Sequence, residues 1–368
     1  MSYSPGLKDV VAAETRLSHV DGEAGELVIG GYPLEEIAER ATYEEMVHLL
    51  WHGRLPTAAA LDRFAGELGA CRPLSGAIID SLGSAAAERR PVIDAVRMAT
   101  ASLPSRDDAS VARSLVAGLP TVVAAYWRLL HGEEPVEPDP GLGHVANLLY
   151  MLTGESPEDD RARALTTYLN TVVDHGMNAS TFTARVIVST RSDFVSAVTG
   201  AIGALKGPLH GGAPGPVIAM LEAIGAADNA ESYLREKLGS GERLMGFGHA
   251  VYRVRDPRAD VLARAARSFF DHDHDLYALA LHVEKTALEL LEEYKPGRRL
   301  QTNVEFYTAL LLKGLGLHPD LFTPMFAVGR VAGWTAHCIE QRAVDRIFRP
   351  ESLYSGDKTR RWTPRDER

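Results

Sequence analysis

Helical spacing of apolar residues is the feature that most limits how this chain can fold. In the segment RALTTYLNTVVDHG the apolar positions follow the i, i+3, i+4, i+7, i+8 pattern of one helix face: Leu165, Tyr168, Leu169, Val172 and Val173. We expect Gly176 to end this helix, which would place His175 at its C-terminal edge.

The same pattern recurs through much of the chain. It is found in residues 194–205, which lead into the loop KGPLHGGAPGP, where we expect no helix, and again in residues 276–294. Thr323-Pro324 has the form of an N-cap followed by proline at the first helical position, and predicts a helix to about Val344. Because no series of alternating strands interrupts these segments, the sequence predicts an all-α fold.

The first thirty residues have a different pattern. The segments TRLSHV and ELVIGG flank DGEAG, whose Asp-Gly pair is a turn signal. We therefore expect one small β-hairpin at the N-terminus of an otherwise helical protein.

Composition excludes several classes of partner. The formal net charge is −10 without a long basic stripe, which argues against nucleic acid. We find no stretch approaching the roughly 20 apolar residues of a membrane span, and the N-terminal MSYSPGLKDV has no pattern of a secretory signal. The 2 cysteines fit a reducing compartment. We expect a cytoplasmic protein that binds neither membranes nor nucleic acid.

Four segments place chemically versatile side chains in bends or at helix ends. They are DHGMNASTFTAR with His175 and Asn178, GPLHGG with His210, MGFGHAVYRVRDPR with His249 and Arg258, and TNVEFYTALLL with Glu305 in the first turn after the N-cap Asn303. A lone histidine near a helix end is usually a solvated polar group, and a lone first-turn glutamate usually favours the helix dipole. Their occurrence together, beside clustered arginines, favours a catalytic site.

These four segments resemble, in their order and approximate spacing, the motifs of the citrate synthase family. GRVAGWTAHCIEQ, RPESLYSG and the N-terminal GYPLEEIAERATYEEMVHLLWHGRLPT are similar to that family as well, so the resemblance covers nearly the whole chain. It implies a two-domain, almost all-helical homodimer that closes around its substrates. Residues 1–212 and 313–368 would form the large domain, and residues 213–312 the small domain.

The resemblance implies the condensation of acetyl-CoA with oxaloacetate to citrate and free CoA, without a cofactor or a metal. Glu305 would be the base that removes a proton from the thioester methyl, while His210 would donate a hydrogen bond to the thioester oxygen. His249 would polarise the ketone of oxaloacetate and later protonate the alkoxide. Hydrolysis of the acyl-CoA intermediate would drive the reaction forward.

Oxaloacetate carries two carboxylates, and guanidinium groups bind carboxylates in fixed geometry. The arginines that the resemblance implies for this task are Arg258, Arg330 and Arg349, the last contributed by the partner subunit across the dimer interface. His175 and Asn178 would add hydrogen bonds to the same acid.

The segment LMGFGH resembles the loop of the family that contacts the adenine of CoA. The residues implied for this contact are Leu244, Met245, Gly246, Phe247 and Gly248. Arg253 would lie near the phosphates of CoA.

The chain departs from the usual family pattern in three motifs. The base is usually aspartate, whereas this chain has Glu305, as some relatives with NVEF do; one extra methylene moves the carboxylate by more than ~1 Å, and such a misplacement can cost on the order of 100-fold in rate. HGGAPG replaces HGGANE, and IGGYP lacks the arginine often found before Gly-Tyr. Two alternatives therefore stay open: a 2-methylcitrate synthase that uses propionyl-CoA, and a weakly active relative that binds CoA or a dicarboxylate.

The sequence does not favour two other classes of site. The sequence DHDHD at residues 271–275 invites a cation, but its place between two predicted helices favours a solvated turn with Asp275 capping the next helix. GFGHAV lacks the third glycine, the preceding strand and the later acidic residue of a dinucleotide site. We expect no metal site and no dinucleotide site.

Overall fold

The computed structural model describes residues 3–7, 9–104, 107–211, 214–249, 251–267 and 274–368. It is 61% helical with 3% strand, which confirms the predicted all-α fold class. The helices are α1 (Leu34–Ile37), α2 (Tyr43–His52), α3 (Ala58–Gly69), α4 (Gly76–Ala87), α5 (Val92–Thr100), α6 (Asp108–Leu130), α7 (His144–Thr153), α8 (Asp159–Val172), α9 (Ala179–Ser189), α10 (Phe194–Leu205), α11 (Pro214–Ile224), α12 (Ala227–Gly239), α13 (Pro257–Arg267), α14 (His274–Tyr294), α15 (Val304–Gly314) and α16 (Phe322–Val344). Short 3₁₀ turns lie at Pro5–Leu7, Pro319–Leu321 and Arg365–Glu367.

The N-terminal hairpin is present and is extended by a third strand that the sequence analysis missed. Strands β1 (Ser18–Asp21) and β2 (Glu26–Ile29) pair antiparallel, and β3 (Tyr32–Pro33) pairs with β2. The carboxylate of Asp21 accepts hydrogen bonds from the next two backbone N–H groups of the turn, those of Glu23 and Ala24. This Asx arrangement explains why the Asp-Gly signal predicted the turn.

The helix α6 corrects one expectation about apolar length. By length and composition it would be able to cross a membrane, and it is the one such helix in the described ranges. The same test is passed by a core helix, and 78% of the apolar window of α6 is buried inside the fold. Its apolar residues therefore contact protein on nearly all sides.

The helix α8 is the element around which the candidate site is assembled. It packs against α13, α15 and α16, which begin or run beside the segments that the sequence analysis singled out. Close approach of α16 depends on two glycines, because a Cβ added at Gly333 would lie 2.2 Å from the carbonyl oxygen of Val173, and one added at Gly329 would lie 2.6 Å from a methyl of Val172. The GRVAG segment thus lets α16 lie directly on the C-terminal end of α8.

The end of α8 differs from the prediction. The helix stops at Val172, so His175 lies three residues beyond its last turn instead of at a helix edge closed by Gly176. The carbonyl oxygen of Val172 accepts a hydrogen bond from the Nε of Arg330. A side chain from another helix therefore binds a carbonyl at the end of α8. The residues around this helix end do not predict such a long-range hydrogen bond.

Two other helix starts also differ. α16 begins at Phe322, directly after the 3₁₀ turn Pro319–Leu321, so Thr323 is inside the helix and is not its N-cap. The Thr323 hydroxyl instead donates to the carbonyl oxygen of Gly211 at 3.0 Å. α11 begins at Pro214, within the segment expected to hold no helix, since proline is tolerated in a first helical turn.

Candidate active site

His210 lies in the turn between α10 and α11, and a neighbouring backbone group sets its tautomer. Its Nε2 accepts from the backbone N–H of Ser180 at 3.4 Å and lies 2.8 Å from the Ser180 hydroxyl. A backbone N–H can only donate, so its contact with Nε2 assigns the proton to Nδ1, which is then available as a donor. The Ser180 hydroxyl has one proton and can donate it either to Nε2 of His210 or to Oδ1 of Asn178. Burial, followed by the positive charges of Arg330 and Arg258, lowers the pKa of His210 to about 4. The ring is therefore neutral near pH 7 and acts as a hydrogen-bond donor.

Ser180, which the sequence analysis missed, links His210 to the start of α9. Its hydroxyl accepts from the indole Nε1 of Trp334 at 3.1 Å and lies 2.8 Å from Oδ1 of Asn178. Asn178 is the N-cap of α9, where Oδ1 accepts from the Thr181 N–H at 3.1 Å and the amide nitrogen lies 3.2 Å from the Gly176 carbonyl oxygen. In this structure the Asn178 side chain supports the turn, and its predicted contact with the acid stays a prediction.

His249 follows the glycine-rich loop, and its tautomer is also set by backbone groups. Nδ1 accepts from the N–H groups of Val251 at 3.1 Å and Tyr252 at 3.2 Å. The proton therefore lies on Nε2, which is 3.3 Å from a terminal guanidinium nitrogen of Arg258. Two donors lie side by side here, so a carbonyl or carboxylate oxygen placed between them would accept from both. Burial, followed by the charge of Arg258, lowers the pKa of His249 to about 4.

Tyr252, a second residue that sequence reasoning missed, holds the two histidines and the arginine together. Its hydroxyl lies 3.1 Å from Nε2 of His175, and its ring centroid is 4.9 Å from that of His249. The guanidinium of Arg258 lies 5.9 Å from the Tyr252 ring centre. Burial, with further lowering by Arg258, holds the pKa of His175 well below its usual value. His175 and His249 meet edge to face, with ring centroids 5.5 Å apart.

Arg258 is held by a carboxylate of its own segment. Asp256 accepts from the Arg258 backbone N–H and Nε, each at 3.0 Å, and from a terminal guanidinium nitrogen at 2.7 Å. The two side chains are 4% and 1% exposed, so this is a buried ion pair. Burial opposes the charge, but Asp256 outweighs it and the pKa of Arg258 is raised.

Arg330 lies in the middle of α16 without such a counterion. Its Nε donates to the Val172 carbonyl oxygen, its guanidinium lies 4.9 Å from the Phe326 ring centre, and it forms no ion pair with any carboxylate in the part of the chain that is described. Burial lowers the pKa of Arg330 to about 10, although the charge of Asp174 partly compensates. A buried guanidinium with free donors is suited to an anionic ligand.

Asp174 compensates Arg330 from a distance because other donors occupy its oxygens. Oδ2 accepts from the Ser18 hydroxyl at 2.5 Å, and Oδ1 lies 3.1 Å from Nε2 of His337. Nδ1 of His337 accepts from Arg185 at 2.9 Å, so the proton of His337 is on Nε2 and points at Asp174. The guanidinium of Arg330 therefore keeps its terminal donors.

Glu305 is positioned by the N-cap of α15, as the sequence predicted. Oδ1 of Asn303 accepts from the Glu305 backbone N–H at 3.1 Å. The Oε2 atom of Glu305 is buried, and none of the described residues supplies it with a hydrogen bond. Burial raises the pKa of Glu305, while the charge of Arg258 opposes the rise. The site thus holds a carboxylate with increased proton affinity, and the charge of Arg258 acts both on this carboxylate and on the two neutral imidazoles.

The loop predicted to contact CoA is tied to the start of α15 by the backbone. Gly248 N–H donates to the Gln301 carbonyl at 2.7 Å, and Asn303 donates through its N–H to the Gly246 carbonyl at 3.0 Å and through its amide to the Gly248 carbonyl at 2.9 Å. Gly246 and Gly248 have φ of 86° and 83°, values that favour glycine. These hydrogen bonds thus fix the position of the loop that carries His249 relative to the helix that carries Glu305.

The other residues predicted for CoA lie on the same loop. Leu244 is buried, Met245 and Phe247 are half-buried, and the Phe247 ring lies 5.4 Å from that of Phe306. Arg253 lies 3.5 Å from the His249 carbonyl oxygen through a guanidinium nitrogen. Their contact with CoA stays a prediction.

Arg349 is separate from this group. It is exposed in the segment after α16, and its guanidinium donates to the neighbouring Pro350 carbonyl oxygen at 3.0 Å. The chain therefore brings together the three histidines, Arg258, Arg330 and Glu305, while Arg349 does not join them within one protomer.

For metal binding, the described residues contain no group of three or more His, Cys, Asp or Glu side chains placed to hold an ion. Residues 271–273 of DHDHD, where a turn is expected, lie outside the described residues. The expectation that Asp275 caps the next helix is wrong, because α14 already begins at His274 and Asp275 lies within it.

Known proteins are similar to this chain in sequence and in fold over nearly its full length. The family profile described as "Citrate synthase, C-terminal domain" matches residues 6–351. A citrate synthase of Haloferax volcanii is 41% identical over 379 residues, covering 99% of this chain and 98% of the relative. A 2-methylcitrate synthase of Mycobacterium tuberculosis is 38% identical over 364 residues, covering 96% and 91%. The citrate synthase of Thermoplasma acidophilum, solved as a ternary complex with carboxymethyl coenzyme A and oxaloacetate, has a TM-score of 0.91 at 30% identity and covers 100% of both chains. The chain belongs to the citrate synthase family.

Proposed function

We propose that this enzyme condenses acetyl-CoA with oxaloacetate to give citrate and free CoA. The observation that carries the proposal is the buried, unpartnered Oε2 of Glu305, whose carboxylate lies under the charge of the same Arg258 that acts on His210 and His249. Backbone N–H groups hold these two imidazoles in donor tautomers. The ternary complex of the Thermoplasma acidophilum relative supports the choice of a CoA thioester and oxaloacetate as substrates.

The first step forms the carbon nucleophile. The carboxylate of Glu305 takes a proton from the methyl group of acetyl-CoA, and the electron pair of the C–H bond moves toward the thioester oxygen. That oxygen accepts a hydrogen bond from Nδ1–H of His210, which stabilises the developing negative charge. A neutral imidazole suits this role, because it donates without giving up its proton at pH 7.

The second step forms the carbon–carbon bond. The nucleophilic carbon attacks the ketone carbon of oxaloacetate, and the ketone oxygen becomes an alkoxide. Nε2–H of His249 and a guanidinium nitrogen of Arg258 lie 3.3 Å apart, so both can donate to this oxygen, and His249 transfers its proton to the alkoxide. The proton that Glu305 took from the methyl group then restores the neutral imidazole, so that one proton moves in net from the methyl carbon to the new hydroxyl. Water then hydrolyses the thioester of the intermediate, which releases CoA.

Binding of the acid is proposed to rest on Arg258, Arg330 and His175, with Arg349 supplied by a second copy in a homodimer. Arg349 is exposed and donates only to the neighbouring Pro350 carbonyl among the described residues, which fits a contribution in trans. We further propose a small domain of residues 213–312 that closes on a large domain formed by the rest, a cytoplasmic location, and a reaction that needs no cofactor or metal.

A 2-methylcitrate synthase that uses propionyl-CoA is the second candidate. The 38% identical relative of Mycobacterium tuberculosis carries that name, and the identities of the two groups of relatives to this chain are close. One methylene in an apolar pocket changes discrimination by about 1–3 kcal/mol, so a few pocket side chains decide between the two acyl groups.

The test is release of free CoA by purified protein with acetyl-CoA and with propionyl-CoA, each with and without oxaloacetate. Oxaloacetate-dependent release is expected, and the ratio of the two kcat/KM values assigns the acyl substrate. Glu305→Gln keeps the size and the N-terminal position of the side chain but removes the proton acceptor, so kcat should fall by several orders of magnitude with little change in oxaloacetate binding.

Glu305→Asp is the matched control, because it keeps a carboxylate and shortens its reach. Activity should fall if the backbone is adjusted to glutamate, and should rise if the site is still shaped for aspartate. A Glu305→Gln enzyme with the parental kcat would assign the proton abstraction to another group.

A further inference from the structure

We infer that the phenol of Tyr168 is an additional substrate-contacting group, which donates its O–H to a carboxylate of the bound four-carbon dicarboxylic acid. The inference rests on the proposed function and deepens it, since it adds a neutral donor to the arginines and histidines of the same site. Tyr168 lies on α8, one turn before the helix ends at Val172.

The first observation is an unsatisfied hydroxyl in a fully buried place. Tyr168 is 0% exposed, and its hydroxyl has no hydrogen-bond partner within the described ranges. Burying a hydroxyl without a partner costs about 1–3 kcal/mol, and such groups in native proteins are few and call for a specific reason. A ligand that supplies an acceptor is one such reason.

The second observation is where this hydroxyl lies. α8 packs against α13, α15 and α16, which carry Arg258, Glu305 and Arg330. Val172 lies one turn after Tyr168 on the same face of α8, and its side-chain methyl packs against α16 at Gly329, the residue before Arg330. The phenol therefore lies on the face of α8 that is turned to Arg330.

The charged side chains of the site lie close enough to affect the pKa of this phenol. Burial raises the pKa of Tyr168, while Arg330 and Arg258 oppose the rise and Glu305 adds to it. These are the two cations proposed to hold the acid and the carboxylate proposed as the base. With its pKa raised, the phenol keeps its proton at neutral pH and acts as a donor.

An anion between two guanidinium groups is the acceptor that best fits a nearby phenol. Glu305 is the other acceptor whose charge acts on Tyr168. However, the Oε2 atom of Glu305 also lacks a hydrogen bond, so the phenol does not donate to it. A carboxylate of oxaloacetate would satisfy the hydroxyl, and it would bring its charge to the unpaired Arg330 at the same time.

Tyr168→Phe tests this assignment because it removes only the hydroxyl. The matched control is Tyr126→Phe, since Tyr126 is also 0% exposed but its hydroxyl already donates to the Arg90 carbonyl oxygen at 2.5 Å, among elements outside the site. Three quantities are measured for the parent and both variants: Tm without ligand, Kd for oxaloacetate by calorimetry, and kcat and KM for each substrate.

In Tyr168→Phe we expect a ligand-free Tm equal to or above the parental value, because no bond made within the protein is lost. Kd and KM for oxaloacetate should rise by about 10- to 100-fold, the worth of a hydrogen bond to a charged group, with an unchanged KM for the acyl-CoA. In Tyr126→Phe we expect the reverse: a lower Tm and parental Kd and KM.

An oxaloacetate Kd in Tyr168→Phe equal to that of the parent would overturn the inference. If kcat also fell while this Kd stayed unchanged, the phenol would act on the base Glu305 and not on the bound acid. A drop in Tm as large as that of Tyr126→Phe would also overturn it, because the hydroxyl would then be bonded within the protein. If the parent itself neither binds oxaloacetate nor releases CoA, the proposed function fails first and the inference with it. Parental activity together with parental binding in the variant removes the role of Tyr168 alone.

Discussion

Two buried arginines of one site, Arg258 at the start of α13 and Arg330 in the middle of α16, differ in how their positive charges are compensated. Asp256 binds the guanidinium of Arg258 directly, at 2.7 and 3.0 Å. Arg330 has a backbone carbonyl as its partner, and the nearby Asp174 is engaged with Ser18 and His337. Burial is nearly the same for the two side chains, so their counterions make the difference.

The comparison shows how one site separates stability from binding. The pKa of Arg258 is raised by Asp256 despite burial, whereas burial lowers that of Arg330 to about 10. Arg258 is part of a structure that is complete without a ligand, and its side chain also orients His249. Arg330 is the cation that gains most from an incoming carboxylate, because its charge is the less compensated of the two.

The largest expected effect is the loss of stability on removing Arg258. Arg258→Gln leaves Asp256 buried at 1% exposure without its cation, and breaking such a pair costs about 3–5 kcal/mol of unfolding free energy. Chemical denaturation of the ligand-free protein measures this loss. The double variant Asp256→Asn, Arg258→Gln should recover much of it, and an Arg258→Gln protein as stable as the parent would break the comparison.

Removing Arg330 should instead affect binding. Arg330→Gln deletes the less compensated cation, so the affinity for oxaloacetate should fall by about 2–5 kcal/mol while the ligand-free unfolding free energy stays within about 1 kcal/mol of the parent. Calorimetric titration and denaturation, run side by side with Arg258→Gln, check both halves. A loss of stability as large as that of Arg258→Gln would contradict the prediction.

Asp174 provides a smaller test of the same idea. Asp174→Asn keeps the shape but removes the negative charge near Arg330 and two charge-assisted hydrogen bonds, so ligand-free stability should fall by about 1–3 kcal/mol. Because the bound acid then becomes the main countercharge of Arg330, the rise in Tm on saturation with oxaloacetate should be larger than in the parent. An unchanged ligand-free Tm would show that Asp174 does not compensate Arg330.

The smallest expected effect concerns the histidines next to each arginine. The folded pKa values of His210 and His249 are about 4, below the ordinary 6.5, so the unfolded state binds more protons between these values and stability is lost as the pH falls through this window. After burial, Arg330 is the main cause for His210 and Arg258 for His249. Arg330→Gln should therefore raise the pKa of His210 more than that of His249, as measured by NMR titration of the imidazole protons. Equal shifts at both rings would refute this pairing.

The sequence predicted the elements well wherever a local pattern carries the physics. Helical periodicity predicted α10 and α14, the Asp-Gly turn predicted the hairpin, and the Asn303 cap placed Glu305 in a first helical turn, because each depends on neighbouring residues alone. The C-terminal end of α8 and the starts of α11 and α16 were predicted wrongly. A side chain from another helix binds the last carbonyl of α8, and a 3₁₀ turn precedes α16.

By itself, then, the sequence determined the helical fold class, the family motifs and the residue types that can do the chemistry. Tertiary structure decided the state of those residues. The tautomers of His210 and His249 depend on backbone N–H groups of Ser180 and Val251. The guanidinium of Arg330 stays available to a ligand because Ser18 and His337 occupy the oxygens of Asp174. Tyr252, Ser180 and Tyr168 had no signal in the chain beyond helical or loop spacing. Hydrogen bonds and charges act through space over a few ångströms, and only folding brings residues far apart in sequence within that distance.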